Sequence, residues 1–176
     1  MAIEQEKTLS VLRFAIQMEI DGKAYYLKTS EESGNELGSK LLRQLAAEED
    51  IHRQVFEQIY ENVRNKHGWP ELDFHHDEGK GLKTLFAQAS ERLGTDVKAA
   101  SNELDAVQGA IDMEARSYDY YQEQLKNATH DAEKGFYSAI SAQEKQHQLV
   151  LLDYYEYLAD PAAWFVKQEH PSLDGG

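Results

Sequence analysis

Residues 41–63 read LLRQLAAEEDIHRQVFEQIYENV, and their spacing decides the fold. Leu42, Leu45, Glu49, His52, Phe56, Ile59 and Val63 recur at alternating steps of three and four, the stripe of a helix that turns one face to a core. Two members of that stripe do not belong in a core. Glutamate is almost never fully buried unless it is paired, and Glu49 and His52 sit in the middle of the apolar positions.

The same anomaly recurs along the chain. Residues 4–32 read as a first helix with Leu12, Ile16, Glu19 and Tyr26 on one face, broken by Ser33-Gly34. Asn35 can cap the second helix, 36–66, which ends before His67-Gly68-Trp69-Pro70. Thr95 is the expected cap of a third, 96–127, with Leu104, Val107, Ile111, Glu114, Tyr118, Tyr121 and Leu125 in register. Thr129 is the expected cap of a fourth, 130–159, whose stripe is Tyr137, Ile140, Glu144, His147, Leu151, Tyr154 and Leu158, stopped by Asp160-Pro161. Helices of about 30 residues span about 45 Å. Short loops at 33–35 and 127–130 make two antiparallel hairpins. The turn-rich segment 67–94, with a short amphipathic helix around Leu82, Leu85, Phe86, Ala89 and Leu93, lets the second hairpin return across the first. The expected fold is therefore all-α: a four-helix bundle over 1–160, two helix hairpins with one long crossover connection, followed by a tail, 161–176. Trp164 and Phe165 of that tail are expected to cover an apolar groove in this chain or a partner, and Trp69 to anchor its loop.

Each helix thus carries a glutamate within its stripe: Glu19, Glu49, Glu114 and Glu144. The second and fourth add a histidine three residues on. Residues i and i+3 lie on one helix face, so each Glu-x-x-His can aim an oxygen and a nitrogen at one point. Four converging carboxylates repel one another and resist ionising, and apart from Lys23 at the margin of the first helix no Lys or Arg lies on these stripes near them. Two divalent cations would neutralise four carboxylates, leaving the imidazoles neutral.

A single Glu-x-x-His is a weak signal; the internal repeat is a strong one. At a constant offset of 95 residues Glu19 matches Glu114, Glu49 matches Glu144 and His52 matches His147. At that offset AIQME (15–19) matches AIDME (110–114), Tyr25-Tyr26 matches Tyr120-Tyr121, and Tyr60-Glu61 matches Tyr155-Glu156, without a gap. The chain reads as a duplicated helix hairpin, each half supplying half of one site. In a metal-free fold, burial and mutual repulsion should raise the carboxylate pKa values.

Composition narrows the chemistry. The chain has 176 residues, no Cys and a formal charge of −14. Thiolate metal sites, disulfides and cysteine nucleophiles are absent. Phosphate backbones and anionic lipids are repelled, so neither nucleic acid nor membrane is an expected partner. The N-terminus, MAIEQEKTLS, has no basic region followed by an apolar stretch, and a cytoplasmic location is expected. The acidic positions Glu31, Glu32, Glu48 and Asp50 read as solvated faces, or as a path guiding Fe(II) inward. His75-His76, with Asp73 and Asp77, form a weak surface-metal pattern, and Glu169 and His170 read as packing or surface residues.

One glutamate from each of two helices plus Glu-x-x-His from each of the other two resembles the ligand pattern of ferritin-like di-iron carboxylate bundles. The motif order, the long connection and the duplication over residues 5–160 look most like the rubrerythrin branch. That resemblance implies that Glu49 and Glu144 bridge two metals, that Glu19 and Glu114 are terminal carboxylates, and that His52 and His147 each cap one metal. It implies two iron ions (Fe2+/Fe3+), although oxygen-rich donors with two imidazoles also admit manganese. The implied activity is reduction of hydrogen peroxide or dioxygen with electrons from an external donor protein such as a rubredoxin. The alternative is Fe(II) binding and oxidation for storage or transfer. A homodimer is expected from fold analogy. Two departures stand out. No rubredoxin centre can form without cysteine, and the further glutamate that rubrerythrins carry three residues after the third-helix ligand is Ser117 here, with Gly22 as its first-helix counterpart. That pair either leaves space beside the metals for dioxygen or peroxide, or simply permits close helix packing. Tyr26 and Tyr121, two turns beyond Glu19 and Glu114, either donate hydrogen bonds to ligand carboxylates or are core tyrosines satisfied elsewhere.

Overall fold

The computed structural model describes residues 2–72, 74 and 79–169. The His75-His76 pattern with Asp73 and Asp77 lies outside the described residues, as does His170. Six helices are present among them: α1 (Ala2–Glu32), α2 (Glu36–Arg64), α3 (Lys80–Leu93), α4 (Glu103–Asn127), α5 (Asp131–Ala159) and α6 (Pro161–Glu169). α1 packs along α2 and α4 along α5, while α3, on the crossover, packs on α2 and α5. The architecture is a ferritin-like four-helix bundle of two hairpins. Among the described residues no helix is long and apolar enough to cross a membrane.

Local chemistry sets the helix ends. Asn35 is extended and its side-chain oxygen accepts from the Gly38 N–H at 2.8 Å, satisfying one of the donors a helix start leaves free. α2 stops at Arg64, two residues earlier than expected, where Lys66 turns into the left-handed region (φ 63°) and the His67 N–H reaches back to the Asn62 carbonyl. α5 starts at Asp131 after His130, one residue later than a Thr129 cap would place it. Pro161 ends α5 and also opens α6, since its missing N–H costs nothing at the first helical position. Trp164 of α6 then packs edge-on against Phe86 of α3 and Tyr157 of α5, and Trp69 rests on Phe136 and Tyr137.

The third long helix corrects the sequence reading. It begins at Glu103, behind Asn102, and not after Thr95. The reason is the Glu103 carboxylate, which is 4% exposed. It accepts from the Ala100 N–H (2.9 Å), the Gly34 N–H (3.2 Å), Ser33 Oγ (2.5 Å), Asn35 Nδ2 (3.2 Å) and the Tyr154 hydroxyl (2.7 Å). Holding the Ala100 N–H this way keeps the preceding chain out of the helix and pins it to the α1–α2 turn. Gly38 completes the arrangement: an added Cβ there would collide with the Tyr154 hydroxyl. Hydrogen bonds to a buried charge contribute more than neutral ones. Glu103→Ala, which leaves several of these donors unpaired, should cost at least about 3 kcal/mol in urea denaturation, and Glu103→Gln less. An Ala variant within about 0.5 kcal/mol of the parent contradicts this account.

The core has two apolar lobes. One gathers Tyr26, Leu41, Leu45, Val107, Leu151 and Tyr157 with α3 and Trp164. The other gathers Leu12, Phe56, Ile59, Tyr121, Phe136 and Ile140. Between them lies a buried polar layer: Glu19, Glu49, His52, Glu114, Glu144 and His147.

Candidate metal centre

Each long helix brings its stripe glutamate to this layer, and α2 and α5 add their histidines one turn on. All six residues are at most 4% exposed. Their ligand atoms form two groups, each within 4.8 Å of one another: Glu19, Glu49, His52 and Glu144, and Glu49, Glu114, Glu144 and His147. Glu49 and Glu144 belong to both. His52 Nδ1 lies 3.4 Å from Glu19 Oε2 and 3.2 Å from Glu144 Oε1. His147 Nδ1 mirrors it, 3.1 Å from Glu49 Oε1 and 3.5 Å from Glu114 Oε1. The two imidazoles stack at 5.5 Å with an interplanar angle of 13°.

Buried polar atoms normally find partners. Here one atom of every one of the six has none: Glu19 Oε2, Glu49 Oε1, His52 Nδ1, Glu114 Oε2, Glu144 Oε1 and His147 Nδ1. Other atoms of the same side chains are held. Tyr121 donates to Glu19 Oε1 and Tyr26 to Glu114 Oε1, each across to the other half of the repeat. His52 Nε2 meets Gln143 Oε1 at 2.5 Å, and His147 Nε2 meets Glu48 Oε2 at 2.9 Å. Both partners are acceptors, so a ring in its neutral form keeps its proton on Nε2 and turns the Nδ1 lone pair to the layer. Inward lone pairs with outward atoms tied down are what a pair of cations requires, and the donor set fits them.

Without cations the charges are balanced by protons. Burial, then the charges of Glu19, Glu144 and Glu114, push the Glu49 carboxyl well above its usual range. Burial, then Glu114 and Glu19, do the same to Glu144. Glu19 departs from the expected rise: burial opposes its charge, but hydrogen bonds from Glu49, His52 and Tyr121 outweigh that and hold it below the usual value. Burial also works against charged imidazoles, yet Glu114, Glu48 and Glu49 hold His147 well above its usual pKa, and Glu19 and Glu49 raise His52. Burial and the adjoining carboxylates push the Tyr26 and Tyr121 phenols far up, so both stay protonated donors.

The surroundings settle several sequence expectations. Lys23 turns away from the layer to pair with Asp50 at 2.9 Å. Asp50, which also meets Arg53 at 3.0 Å, is pushed down to about 2, first by Lys23 and then by Arg53. Gly22 lies against Glu49, where an added Cβ would stand 3.4 Å from Oε2, and Ser117 is half-buried one turn after Glu114. Phe74, from the crossover, sets its ring against His52 and Phe136 and covers that side of the layer. Glu48 is not the purely solvated side chain the pattern implies, and Gln143 lies off the apolar stripe of its helix. Both sit one residue before a stripe glutamate, at the repeat offset of 95, which is the signal that could have found them.

The rubrerythrin family model matches residues 10–155, a span that contains all six residues and both tyrosines. The chain belongs to the rubrerythrin family. No curated protein and no solved structure gives a match. The family match and the buried carboxylate–histidine cluster together are those of a di-metal carboxylate protein. Unlike rubrerythrins with a rubredoxin centre, these 176 residues contain no cysteine to build one.

Proposed function

We propose that this rubrerythrin-family chain is a di-iron oxidoreductase that reduces hydrogen peroxide or dioxygen, with electrons supplied by a separate donor protein such as a rubredoxin. The observation that carries the reading is the set of six unpartnered, inward-facing donor atoms, one from each of six buried side chains. Glu49 and Glu144, shared by both groups, would hold both ions, Glu19 and His52 one of them, Glu114 and His147 the other. Four carboxylates with two imidazoles suit iron, and also admit manganese.

When bound, the iron pair supplies the electrons that cleave the O–O bond. The chain's own residues do the rest. Tyr26 and Tyr121 fix the terminal carboxylates through their phenolic protons. Gln143 and Glu48 fix the imidazoles. The two apolar lobes and Phe74 keep bulk water from the layer, so its charges act in a medium of low polarity. Gly22, with no side chain of its own, lets α1 pack directly against the Glu49 carboxylate.

The test is steady-state consumption of peroxide by iron-loaded protein with a supplied reductant, set against iron uptake. Turnover at two irons per chain supports the proposal. Accumulation of many irons per chain without turnover supports storage instead. Ser117→Glu restores the carboxylate that rubrerythrins carry at this position, and it should raise peroxide turnover with metal content unchanged. Unchanged turnover at full metal content would show that position 117 does not limit the chemistry.

A further inference from the structure

The two halves of the repeat agree at all six candidate ligands and at both tyrosines, but not at the residues that hold the imidazoles. At the offset of 95, Glu48 stands opposite Gln143. The structure shows what each does. His147 Nε2 meets a carboxylate oxygen at 2.9 Å, whereas His52 Nε2 meets an amide oxygen at 2.5 Å. Both acceptors impose the same tautomer on a neutral ring, so in that respect the two are equal. The electronic result is not. A carboxylate carries a full negative charge, and its hydrogen bond from an imidazole N–H draws that proton away from the ring and makes the other nitrogen a stronger donor. An amide does this far less. Glu48 also lies on one side of the layer only, with its side chain 24% exposed and a further hydrogen bond from Gln44 Nε2. One group of donors therefore has a carboxylate hydrogen-bonded to its histidine, and the other has only an amide.

We infer that the two metal positions are inequivalent, and that Glu48 makes the position served by His147 the tighter one, filled first and better suited to the more highly charged ion. This rests on the reading of the layer as a two-metal site. Glu48 acts as a positioning residue, through His147, and Gln143 is its weaker counterpart. The pseudo-symmetry that duplication built into the ligands is broken one atom shell outside them.

The test is anaerobic titration of the metal-free protein with Co(II), followed by calorimetry and by proton NMR of the two imidazole Nε2–H signals. A bound paramagnetic ion shifts each signal out of the ordinary spectral range. The signal that moves in Glu48→Gln belongs to His147, and the one that moves in Gln143→Glu to His52. The expected result is two binding steps whose affinities differ by about 10-fold or more, with the His147 signal appearing in the first. Glu48→Gln should bring the steps together by weakening the first, and Gln143→Glu by strengthening the second. The exchange Glu48→Gln/Gln143→Glu should restore two steps in reversed order. Two ions bound in a single step, with both signals growing together, overturn the inference and leave the two-metal reading standing. An order that survives the exchange also overturns it. A parent protein that binds fewer than two ions overturns the two-metal reading and this inference with it.

Discussion

Removing the carboxylate of Glu49 or of Glu144 should empty both metal positions, while removing either histidine should empty one. Glu49 and Glu144 are common to both groups of converging donors, whereas His52 and Glu19 belong to one and His147 and Glu114 to the other. Glu49→Ala therefore takes an oxygen donor from each ion at once, and leaves three carboxylates where neutralising two divalent ions takes four. Supporting residues that merely hold a ligand cost about 10–100-fold in affinity, and a shared direct donor should cost more than that at both positions. The same change should leave the bundle folded, because burial and the neighbouring carboxylates already disfavour the Glu49 charge in the metal-free chain. Metal analysis after anaerobic loading and dialysis should read about two ions per chain for the parent, near none for Glu49→Ala and Glu144→Ala, and about one for His52→Ala and His147→Ala. Circular dichroism on the same samples checks that each variant is helical. Equal and complete loss from all four would contradict the division into shared and unshared donors.

The six converging residues were legible because helical periodicity fixes which face a side chain occupies, and because duplication wrote the same exception twice. Glu49 and His52 stand out only against Leu45 and Phe56, and Glu144 and His147 only against Ile140 and Leu151. The partners of the imidazoles were not legible in that way. Positions 48 and 143 flank the stripe, and whether a side chain there turns to solvent or reaches Nε2 depends on rotamers of two residues on different helices. The crossing of the tyrosines, Tyr26 to Glu114 and Tyr121 to Glu19, lies equally beyond spacing along one helix. The start of α4 departs from its local signal for a related reason. Thr95 followed by an acidic residue is a sound local cap signal, but Glu103 draws five donors from the α1–α2 turn, the preceding chain and α5. A tertiary network outweighed a local one. Pro161 is a stop for α5, but the same chemistry also begins α6.

The metal-free chain should lose stability as pH rises from about 5 to 8, and metal should remove most of that loss. Glu49 and Glu144 have pKa values raised in the folded state by burial and by the other carboxylates. Above the ordinary carboxylate value of 4.5 the unfolded chain has released these protons while the folded chain still holds them. Stability rises with pH only where the unfolded state binds more protons, so here it falls, until pH passes the folded values. His52 and His147 are raised as well, despite burial, by the carboxylates they face. Their contribution is fully present below 6.5 and is lost as pH climbs through their folded values, so it has the same sign. Glu19 runs the other way, but its window lies below 4.5, where falling pH removes its contribution. Metal ions need these groups deprotonated, so their affinity grows with pH just as the metal-free fold weakens. Two ions, each present at 100 times its Kd, stabilise by about 5 kcal/mol, a rise of about 10–20 °C in Tm for a domain of this size. Paired thermal melts across this range, with and without Fe(II) under anaerobic conditions, should therefore diverge, the gap widening toward pH 8. Replacing Glu19, Glu49, Glu114 and Glu144 by Gln together with His52 and His147 by Leu should give a folded bundle whose melts neither slope with pH in this way nor respond to Fe(II), because the repulsion leaves with the donors. Superimposable parent curves with and without metal would show that these glutamates share no buried cation. A Gln/Leu variant that keeps the full pH slope would place its origin elsewhere in the bundle.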